Sequence, residues 1–180
     1  MRPTESTRAM PLAFLVVLGL LLVARGATAW WEGRHPPESY DRVDWKTPAE
    51  ALEVSAMHRK PILYDFTADW CAPCQKMKGE VFADQNRAKQ IGMMFVPARV
   101  LDRQQEDGRN PADVDSLQQK YAITAFPTLI AVTPDGREVG RVLGYPGSRA
   151  TMDSLMVFYR RSADFRISFP DSSPAPSLGI

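Results

Sequence analysis

The pattern of apolar and polar residues divides the chain into an apolar N-terminal stretch and a longer region of alternating helical and strand-like segments. An uninterrupted apolar run extends from Met10 to Ala24. Further along, apolar residues recur either at helical spacing or in short β-rich runs. The resulting order is helix, strand, helix, strand, helix, an antiparallel strand pair and a last helix. This order predicts an α/β fold in which a mixed central sheet has helices on both faces.

Capping and breaking residues set the predicted element boundaries. Thr47 and Glu50 match a capping box with Pro48 at the first helical position, so a helix is predicted to begin there and to end near Arg59. Pro97 cannot donate to a strand ladder and therefore indicates an edge strand or a bulge. The other predicted elements are strands over Ile62–Thr67, Met93–Leu101, Thr128–Val132 and Arg137–Val142, a candidate short strand over Val43–Trp45, and helices from Cys71, from Asp84 to Ile91, around Val114–Tyr121 and from Ser148.

The N-terminal stretch has the organisation of an export signal. Arg2 and Arg8 precede the apolar run, and Arg25 and an A-x-A site ending at Ala29 follow it. A charged start, an apolar middle and a small-residue cleavage site are typical of a secretory signal peptide. An uncleaved membrane anchor is the competing interpretation, although the run is shorter than the about 20 residues of a spanning helix. Both interpretations place the rest of the chain in a periplasmic or other extracytoplasmic compartment.

These patterns predict four regions. Residues 1–29 are the signal peptide or N-terminal anchor, and residues 30–42 are an aromatic, Pro-rich spacer. Residues 43–163 are predicted to form the folded domain. Residues 164–180 lose periodicity and end in a Ser/Pro-rich tail that is predicted to be disordered.

Composition limits the classes of function. The chain has 180 residues, of which 44% are hydrophobic and 24% charged, which suits one domain with an ordinary core. The formal net charge of +1 gives no reason to expect nucleic acid as a partner. No metal or other cofactor is predicted, because His35 and His58 lie upstream of the cysteines without zinc-finger spacing. The Met93-Met94 pair is interpreted as strand packing and not as a metal-binding motif.

The only two cysteines, Cys71 and Cys74, form a C-x-x-C pair between a predicted strand and a predicted helix, which indicates a redox motif. Free N–H groups and the macrodipole at a helix N-terminus lower the pKa of the first cysteine. Cys71 is therefore predicted to be an exposed thiolate nucleophile and Cys74 the shielded resolving thiol. A purely structural disulfide is the alternative, but so short a loop constrains the unfolded chain little.

The segment Asp65–Cys74, with the sequence DFTADWCAPC, resembles the active site of the thioredoxin family. The resemblance covers roughly Trp45 to Arg161. It is closest to exported thioredoxin-like domains such as the C-terminal domain of the thiol:disulfide interchange protein DsbD. In that subgroup the redox helix also runs into an aromatic-x-Asp break, here Phe82-Ala-Asp84. The resemblance implies a thioredoxin-like three-layer fold.

The resemblance also implies roles for individual residues. Asp65 matches a buried carboxyl that accepts a proton from the resolving cysteine. Pro127 matches a cis-proline that faces the disulfide. The remaining matched positions imply a substrate-binding surface around the thiols, made of Trp70, Ala72, Pro73, Phe126 and Thr128.

Four features depart from the family pattern. The residues between the cysteines are Ala-Pro, not Gly-Pro, and Phe126 is bulky where a small or branched aliphatic residue is common. Arg99 takes the place of a lysine that partners the buried carboxyl, and arginine cannot deprotonate. The charged loop over residues 102–111 is longer than usual. Substrate choice and redox poise therefore stay open.

The function implied by the resemblance is that of an exported thiol–disulfide oxidoreductase that reduces protein disulfides. In an oxidising compartment it would need electrons from a membrane donor of the DsbD type. Its expected partners are protein disulfides or dithiols, such as apocytochromes in cytochrome c biogenesis or an isomerase that must be kept reduced.

Two other classes stay open. The first is a disulfide oxidase or isomerase, although such relatives usually carry a histidine or an aromatic residue between the cysteines. The second is a thiol-based copper or assembly chaperone. Copper-carrying relatives usually add a downstream histidine, and none follows His58.

Overall fold

The computed structural model describes residues 12–34 and 41–168, which belong to two units. In the first unit, helix α1 spans Leu12–Arg34. It continues past the predicted cleavage site at Ala29 into the predicted spacer. Among the residues described, no helix has the length and apolar character that a membrane crossing requires. The first arginines of the predicted export signal, Arg2 and Arg8, lie outside the described residues, as does most of the predicted C-terminal tail.

The second unit is built on a four-stranded sheet with the strand order β2-β1-β3-β4. β1 is parallel to β2 and antiparallel to β3, and β3 is antiparallel to β4. The predicted mixed sheet is therefore confirmed. In chain order the elements are α2 (Pro48–His58), β1 (Ile62–Ala68), α3 (Ala72–Met77) with a π-helical turn after it (Lys78–Phe82), α4 (Gln85–Met94), β2 (Val96–Asp102), α5 (Gln104–Asp107), α6 (Ala112–Lys120), β3 (Thr128–Val132), β4 (Glu138–Leu143) and α7 (Ser148–Ser168).

Two apolar layers enclose the sheet. Side chains alternate along β1, so Leu63 joins the core on one face while Tyr64 and Phe66 join the core on the other. Helices α4 and α7 cover the first face, and α2 and α6 cover the second, through side chains that include Ile91, Leu155, Ala51 and Val114. These contacts confirm the predicted three layers.

Local sequence signals account for several boundaries. Thr47 and Glu50 form the predicted capping box, with the Glu50 carboxylate accepting from the Thr47 N–H at 2.9 Å. Pro97 lies on β2, which is an edge strand, so its missing N–H removes no bond inside the sheet. Both predictions are confirmed.

The predicted strand over Met93–Leu101 begins too early. Met93 and Met94 close helix α4, and the strand begins at Val96. The physical reason is that α4, which Asp84 caps by accepting from the Arg87 N–H at 2.9 Å, keeps its helical hydrogen bonds up to Phe95, whose N–H donates to the Ile91 carbonyl at 2.8 Å. Met93-Met94 is therefore not strand packing.

Three further boundaries differ from the sequence prediction. Residues 43–45 do not form the predicted strand. The next residue, Lys46, makes one isolated β-bridge to Ala98. The charged loop over residues 102–111 contains the short helix α5. Helix α7 continues to Ser168, beyond the predicted domain boundary at residue 163. The isolated bridge and α5 are short elements, and such elements depend on tertiary contacts more than on local pattern.

Gly140 on β4 lies directly beneath the ring of Phe158 on α7, and a Cβ at this position would overlap the ring. We expect Gly140→Ala to lower the free energy of unfolding by about 1 to 3 kcal/mol, because the core must shift to admit the methyl group. The measurement is denaturant unfolding. Gly92→Ala is the matched control, since nothing lies within 4 Å of its added Cβ. Equal stability of the two variants would contradict the expected overlap.

Candidate active site

The two cysteines lie where β1 passes into α3. β1 ends at Ala68, and Cys71 caps α3, which begins at Ala72. The Cys74 N–H points to the Cys71 sulfur, with an N–S distance of 3.2 Å. Pro73 occupies the first turn of the helix, where its missing N–H costs no intrahelical bond. The sequence therefore places one sulfur at the end of the helix and the other one turn inside it.

Cys71 and Cys74 form a disulfide with a Cα–Cα distance of 5.2 Å. Their residues are only 2% and 3% exposed. The sequence predicted an exposed Cys71, and for the disulfide form this prediction is wrong. The reason is that both cysteines pack in a small buried cluster with Ala68, and Phe126 packs against that cluster.

Trp70 and Phe126 form an aromatic pair beside the cysteines. The ring centroids are 5.9 Å apart and the rings meet edge to face. Phe126 touches the buried cysteines, whereas Trp70 is 49% exposed. The peptide bond between Phe126 and Pro127 is cis. This geometry brings Phe126, distant in sequence, onto the C-x-x-C pair.

The other predicted surface residues divide into two groups. Ala72 and Pro73 are exposed at the start of α3. Pro127 is buried, and its carbonyl accepts from the Gly144 N–H at 2.8 Å. Thr128 is fully buried and donates its hydroxyl to the Ala125 carbonyl at 2.7 Å. The Thr128 side chain therefore does not lie on the exposed surface beside Trp70.

Asp65 is a buried carboxyl in the middle of β1, with 1% of its surface exposed. It stands opposite Arg99 of β2, whose Nε donates to Oδ2 at 3.2 Å. Within the described residues, the other oxygen, Oδ1, has no hydrogen-bond partner. Burial raises the pKa of Asp65 from 3.8 to about 6, and the nearby Arg99 guanidinium opposes the rise. A carboxyl with such a pKa can hold or release a proton near neutral pH.

The surroundings of Asp65 place it on the cysteine side of the sheet. Two positions away on β1, Leu63 packs in the cluster that contains Met77 and Phe82. Met77 lies one turn after Cys74 on the same buried face of the redox helix. By the alternation of side chains along β1, Asp65 lies on the same face of the sheet as Leu63 and therefore on the face where Met77 packs.

Sequence reasoning missed the residues that hold the charged groups in place. Asp41 pairs with Arg99, with an N–O distance of 2.7 Å, and Asp69 pairs with Arg103 at 2.8 Å. The first contact joins the beginning of the domain to β2, and the second joins the loop before the cysteines to the segment before α5. No local pattern could reveal contacts between residues so far apart in the chain. Within the described part of the chain, no cluster of three or more His, Cys, Asp or Glu residues is arranged to hold a metal ion.

Removing the Phe126 ring is expected to make the Cys71–Cys74 disulfide more accessible to external thiols. We expect the oxidised Phe126→Ala protein to react with glutathione or dithiothreitol roughly threefold to tenfold faster than wild type, because attack on a sulfur depends on access to it. Stopped-flow thiol exchange measures the rate. Met57→Ala is the control, since Met57 is an exposed apolar residue on α2. An unchanged rate in Phe126→Ala would show that this ring does not limit access.

Comparisons with known proteins agree with this geometry. A family model described as a thioredoxin-like domain matches residues 48–160. The disulfide bond reductase DsbH of Chlamydia pneumoniae is 30% identical over 119 residues, which cover 63% of this chain and 70% of the relative. The thiol:disulfide interchange protein DsbD of Yersinia pestis (strain Pestoides F) is 25% identical over 138 residues. That alignment covers 73% of this chain but only 22% of the much longer DsbD chain.

Solved structures give the same fold. A DsbH oxidoreductase superimposes with a TM-score of 0.59 at 25% identity, covering 69% of this chain and 89% of the other. A thioredoxin from Thermus thermophilus superimposes with a TM-score of 0.58 at 23% identity, covering 73% of this chain and 99% of the other. The predicted fold and reaction class are thereby confirmed. The chain belongs to the thioredoxin-like domain family and is a thiol–disulfide oxidoreductase that carries a Cys71–Cys74 pair.

Proposed function

We propose that this protein reduces disulfides in other proteins, with Cys71 as the attacking thiolate and Cys74 as the resolving thiol. The observation that carries the proposal is the position of the pair: Cys71 caps α3 and Cys74 lies one turn inside it. Unpaired N–H groups at the start of a helix stabilise a thiolate there. In the reduced protein, the pKa of Cys71 is therefore expected to be lower than that of Cys74.

The reaction consists of two exchange steps. The Cys71 thiolate attacks one sulfur of the substrate disulfide, which forms a mixed disulfide and expels one substrate thiolate. The Cys74 thiolate then attacks the Cys71 sulfur, which forms the Cys71–Cys74 disulfide and expels the second substrate thiolate. Two electrons pass to the substrate, and the two protons of the dithiol end on the substrate thiols. The oxidised form described here is the product of this cycle.

Asp65 is proposed to accept the proton of Cys74 before the second step. Its burial, its unpartnered Oδ1 and its raised pKa suit an acceptor that is ionised near neutral pH and takes a proton readily. Because the carboxylate is buried and only one of its oxygens is paired with Arg99, protonation relieves a desolvated charge.

The proposed substrate surface surrounds the disulfide. Trp70, Ala72 and Pro73 are exposed beside it, and Phe126 is partly exposed. An extended substrate segment would lie along these side chains and the backbone around Pro127, with Thr128 contributing through its backbone position at the start of β3. The aromatic pair offers an apolar contact to residues that flank the substrate cysteine.

We propose that the protein reduces substrate disulfides and does not form them, because both its relatives and its own sequence favour this direction. One relative is named a disulfide bond reductase and another a thiol:disulfide interchange protein. The residues between the cysteines are Ala72 and Pro73, without the histidine or aromatic residue typical of oxidases. A disulfide oxidase or isomerase is the second candidate.

We further propose that the protein works outside the cytoplasm and receives electrons from a membrane donor of the DsbD type. The support is the charged start, apolar run and A-x-A site of residues 1–29, together with the similarity to a DsbD. A tether formed by the same apolar segment is the alternative to cleavage. N-terminal sequencing of the protein recovered from cell fractions distinguishes a start at Trp30 from an intact N-terminus.

The test of the proposed activity is catalysed reduction of a protein disulfide. The purified protein is mixed with insulin and dithiothreitol, and the rate is compared with dithiothreitol alone. We expect faster reduction that depends on Cys71. A rate equal to that with dithiothreitol alone would contradict the reductase proposal.

A further inference from the structure

Arg99 is shared between two carboxylates. Its Nε donates to Asp65 Oδ2 at 3.2 Å, and its Nη1 lies 2.7 Å from Asp41 Oδ2. Its guanidinium also stacks on Trp45, with the Cζ atom 4.3 Å from the ring centroid. One cation is therefore divided between the buried carboxyl and a carboxyl at the beginning of the domain. The planar fork of arginine makes this possible, because it presents donors in two fixed directions.

Asp41 is itself fixed in position. Its Oδ2 accepts from the Trp45 indole N–H at 2.9 Å, and its Oδ1 accepts from the Val43 N–H at 3.1 Å. The Asp41 side chain is 15% exposed. These donors hold the Asp41 carboxylate in one orientation.

The backbone around Asp41 is attached to the elements that carry the site. The Arg42 N–H donates to the Phe82 carbonyl at 2.9 Å, which ties the segment to the π-helical turn after α3. The Lys46 N–H donates to the Pro97 carbonyl at 2.9 Å, and the Arg99 N–H donates to the Lys46 carbonyl at 3.1 Å. The segment 41–46 therefore forms a clamp that holds Arg99 from the side opposite to Asp65.

We propose that Asp41 and Trp45 are positioning residues for proton transfer at Asp65, because they hold Arg99 so that only part of its charge serves the buried carboxylate. This inference rests on the proposed role of Asp65. With Arg99 fully engaged, Asp65 would be a carboxylate too stable to accept a proton from a thiol. Because Arg99 also binds Asp41, Asp65 keeps a hydrogen-bond partner and still accepts the proton readily.

The charged groups around Asp65 agree with the sharing of Arg99 between Asp65 and Asp41. Arg99 on β2 lowers the pKa of Asp65, and the charge of Asp41 raises it. The other elements on this face contribute apolar side chains to the same core, namely Leu129 from β3 and Met77, Val81 and Phe82 from the redox helix and its π-helical turn. In the reduced protein, the buried titratable group on α3 is the Cys74 thiol, whereas Lys76 of the same helix is exposed.

The test is a pH titration of the Asp65 carboxyl carbon by NMR in the oxidised protein, where neither cysteine titrates. Asp41→Asn keeps the size and shape of the side chain, removes its charge and replaces one of its two acceptor oxygens with an NH2 group. We expect the Asp65 midpoint to fall by about one pH unit, because the negative neighbour is gone and Arg99 turns fully to Asp65. Asp44→Asn is the control, since the Asp44 side chain is 86% exposed and pairs with Lys46. Equal midpoints in the two variants would overturn the inference.

A double-mutant cycle separates positioning from a direct charge effect. In an Arg99→Met background, the effect of Asp41→Asn on the Asp65 midpoint should shrink to less than half, because the arginine that transmits it is missing. An undiminished effect would overturn the positioning role. Trp45→Phe keeps the aromatic ring and removes the N–H to Asp41, and it is expected to move the midpoint in the same direction as Asp41→Asn. An unchanged Asp65 midpoint in Trp45→Phe would contradict the positioning role of Trp45.

The outcome is independent of the proposed activity, since the titration needs no substrate. If the midpoints respond as expected but Asp65→Asn exchanges disulfides at the wild-type rate, the proposed role of Asp65 fails and the charge division stands. Asp65→Asn could instead exchange disulfides slowly while Asp41→Asn changes neither the Asp65 midpoint nor the acid limb of the pH–rate profile. The positioning role of Asp41 would then fail, and the proposed role of Asp65 would stand.

Discussion

The largest expected effect is the loss of disulfide reduction when Cys71 is replaced by serine. We expect Cys71→Ser to reduce turnover to the rate with dithiothreitol alone, because a serine hydroxyl does not attack a disulfide at neutral pH. Cys74→Ser should keep the first attack and lose the second step, so that mixed disulfides with substrate proteins accumulate through Cys71. The two variants are matched controls, since each removes one sulfur atom from the same buried cluster.

Diagonal electrophoresis of the two variants measures this difference. Adducts that disappear on reduction are expected with Cys74→Ser and not with Cys71→Ser. Adducts formed equally by both variants would assign no special role to Cys71. Adducts formed only by Cys71→Ser would reverse the proposed order of attack.

The second large effect concerns Asp65, whose replacement is expected to slow exchange and to stabilise the fold. We expect Asp65→Asn to slow the reduction of a protein disulfide by about 10- to 100-fold near pH 7, because the resolving thiol loses its proton acceptor. The same variant removes a buried charge. The domain should therefore unfold at a higher denaturant concentration at pH 8 than wild type.

The pH dependence of this stabilisation has a defined sign. The folded pKa of Asp65 is raised from 3.8 to about 6, so between these values the folded state binds more protons than the unfolded state. The stability contributed by the protonated carboxyl is complete below pH 3.8 and is lost as the pH rises through about 6. The loss is on the order of 3 kcal/mol. The advantage of Asp65→Asn should thus be largest above pH 6 and absent near pH 3.

Denaturant unfolding at several pH values, together with exchange kinetics, tests both parts. Asp113→Asn, an exposed substitution in the first turn of α6, is the control: it should leave exchange unchanged and lower the free energy of unfolding by at most about 1 kcal/mol, because it removes only a charge at the start of a helix. A destabilised Asp65→Asn protein at pH 8 would contradict the buried charge. Normal exchange in a stabilised variant would leave Asp65 without a role in proton transfer.

Much of the fold could be predicted from sequence because its signals are local. The Thr47 capping box, the Pro97 edge strand and the β3–β4 hairpin are each specified by a few adjacent residues. The position of Cys71 at the start of α3 follows from the same kind of signal. The resemblance added the cis bond before Pro127, which local pattern alone does not indicate.

What the sequence could not predict depends on contacts between distant residues. The burial of Cys71 requires Phe126, which the loop before β3 places on the disulfide. The division of Arg99 requires Asp41, which reaches it only after the segment before α2 has packed on β2. Met93 and Met94 suited either a helix end or a strand, and the packing of α4 decided between them. In each case the missing information is tertiary.

The most direct test of the proposed reductase is the reduction potential of the Cys71–Cys74 pair, measured by equilibration with glutathione and thioredoxin. The proposal predicts a potential near that of thioredoxin, about −270 mV, at which the dithiol gives electrons to protein disulfides of higher potential, such as exposed or strained ones. A potential near that of DsbA, about −120 mV, would contradict it, since such a pair accepts electrons and inserts disulfides.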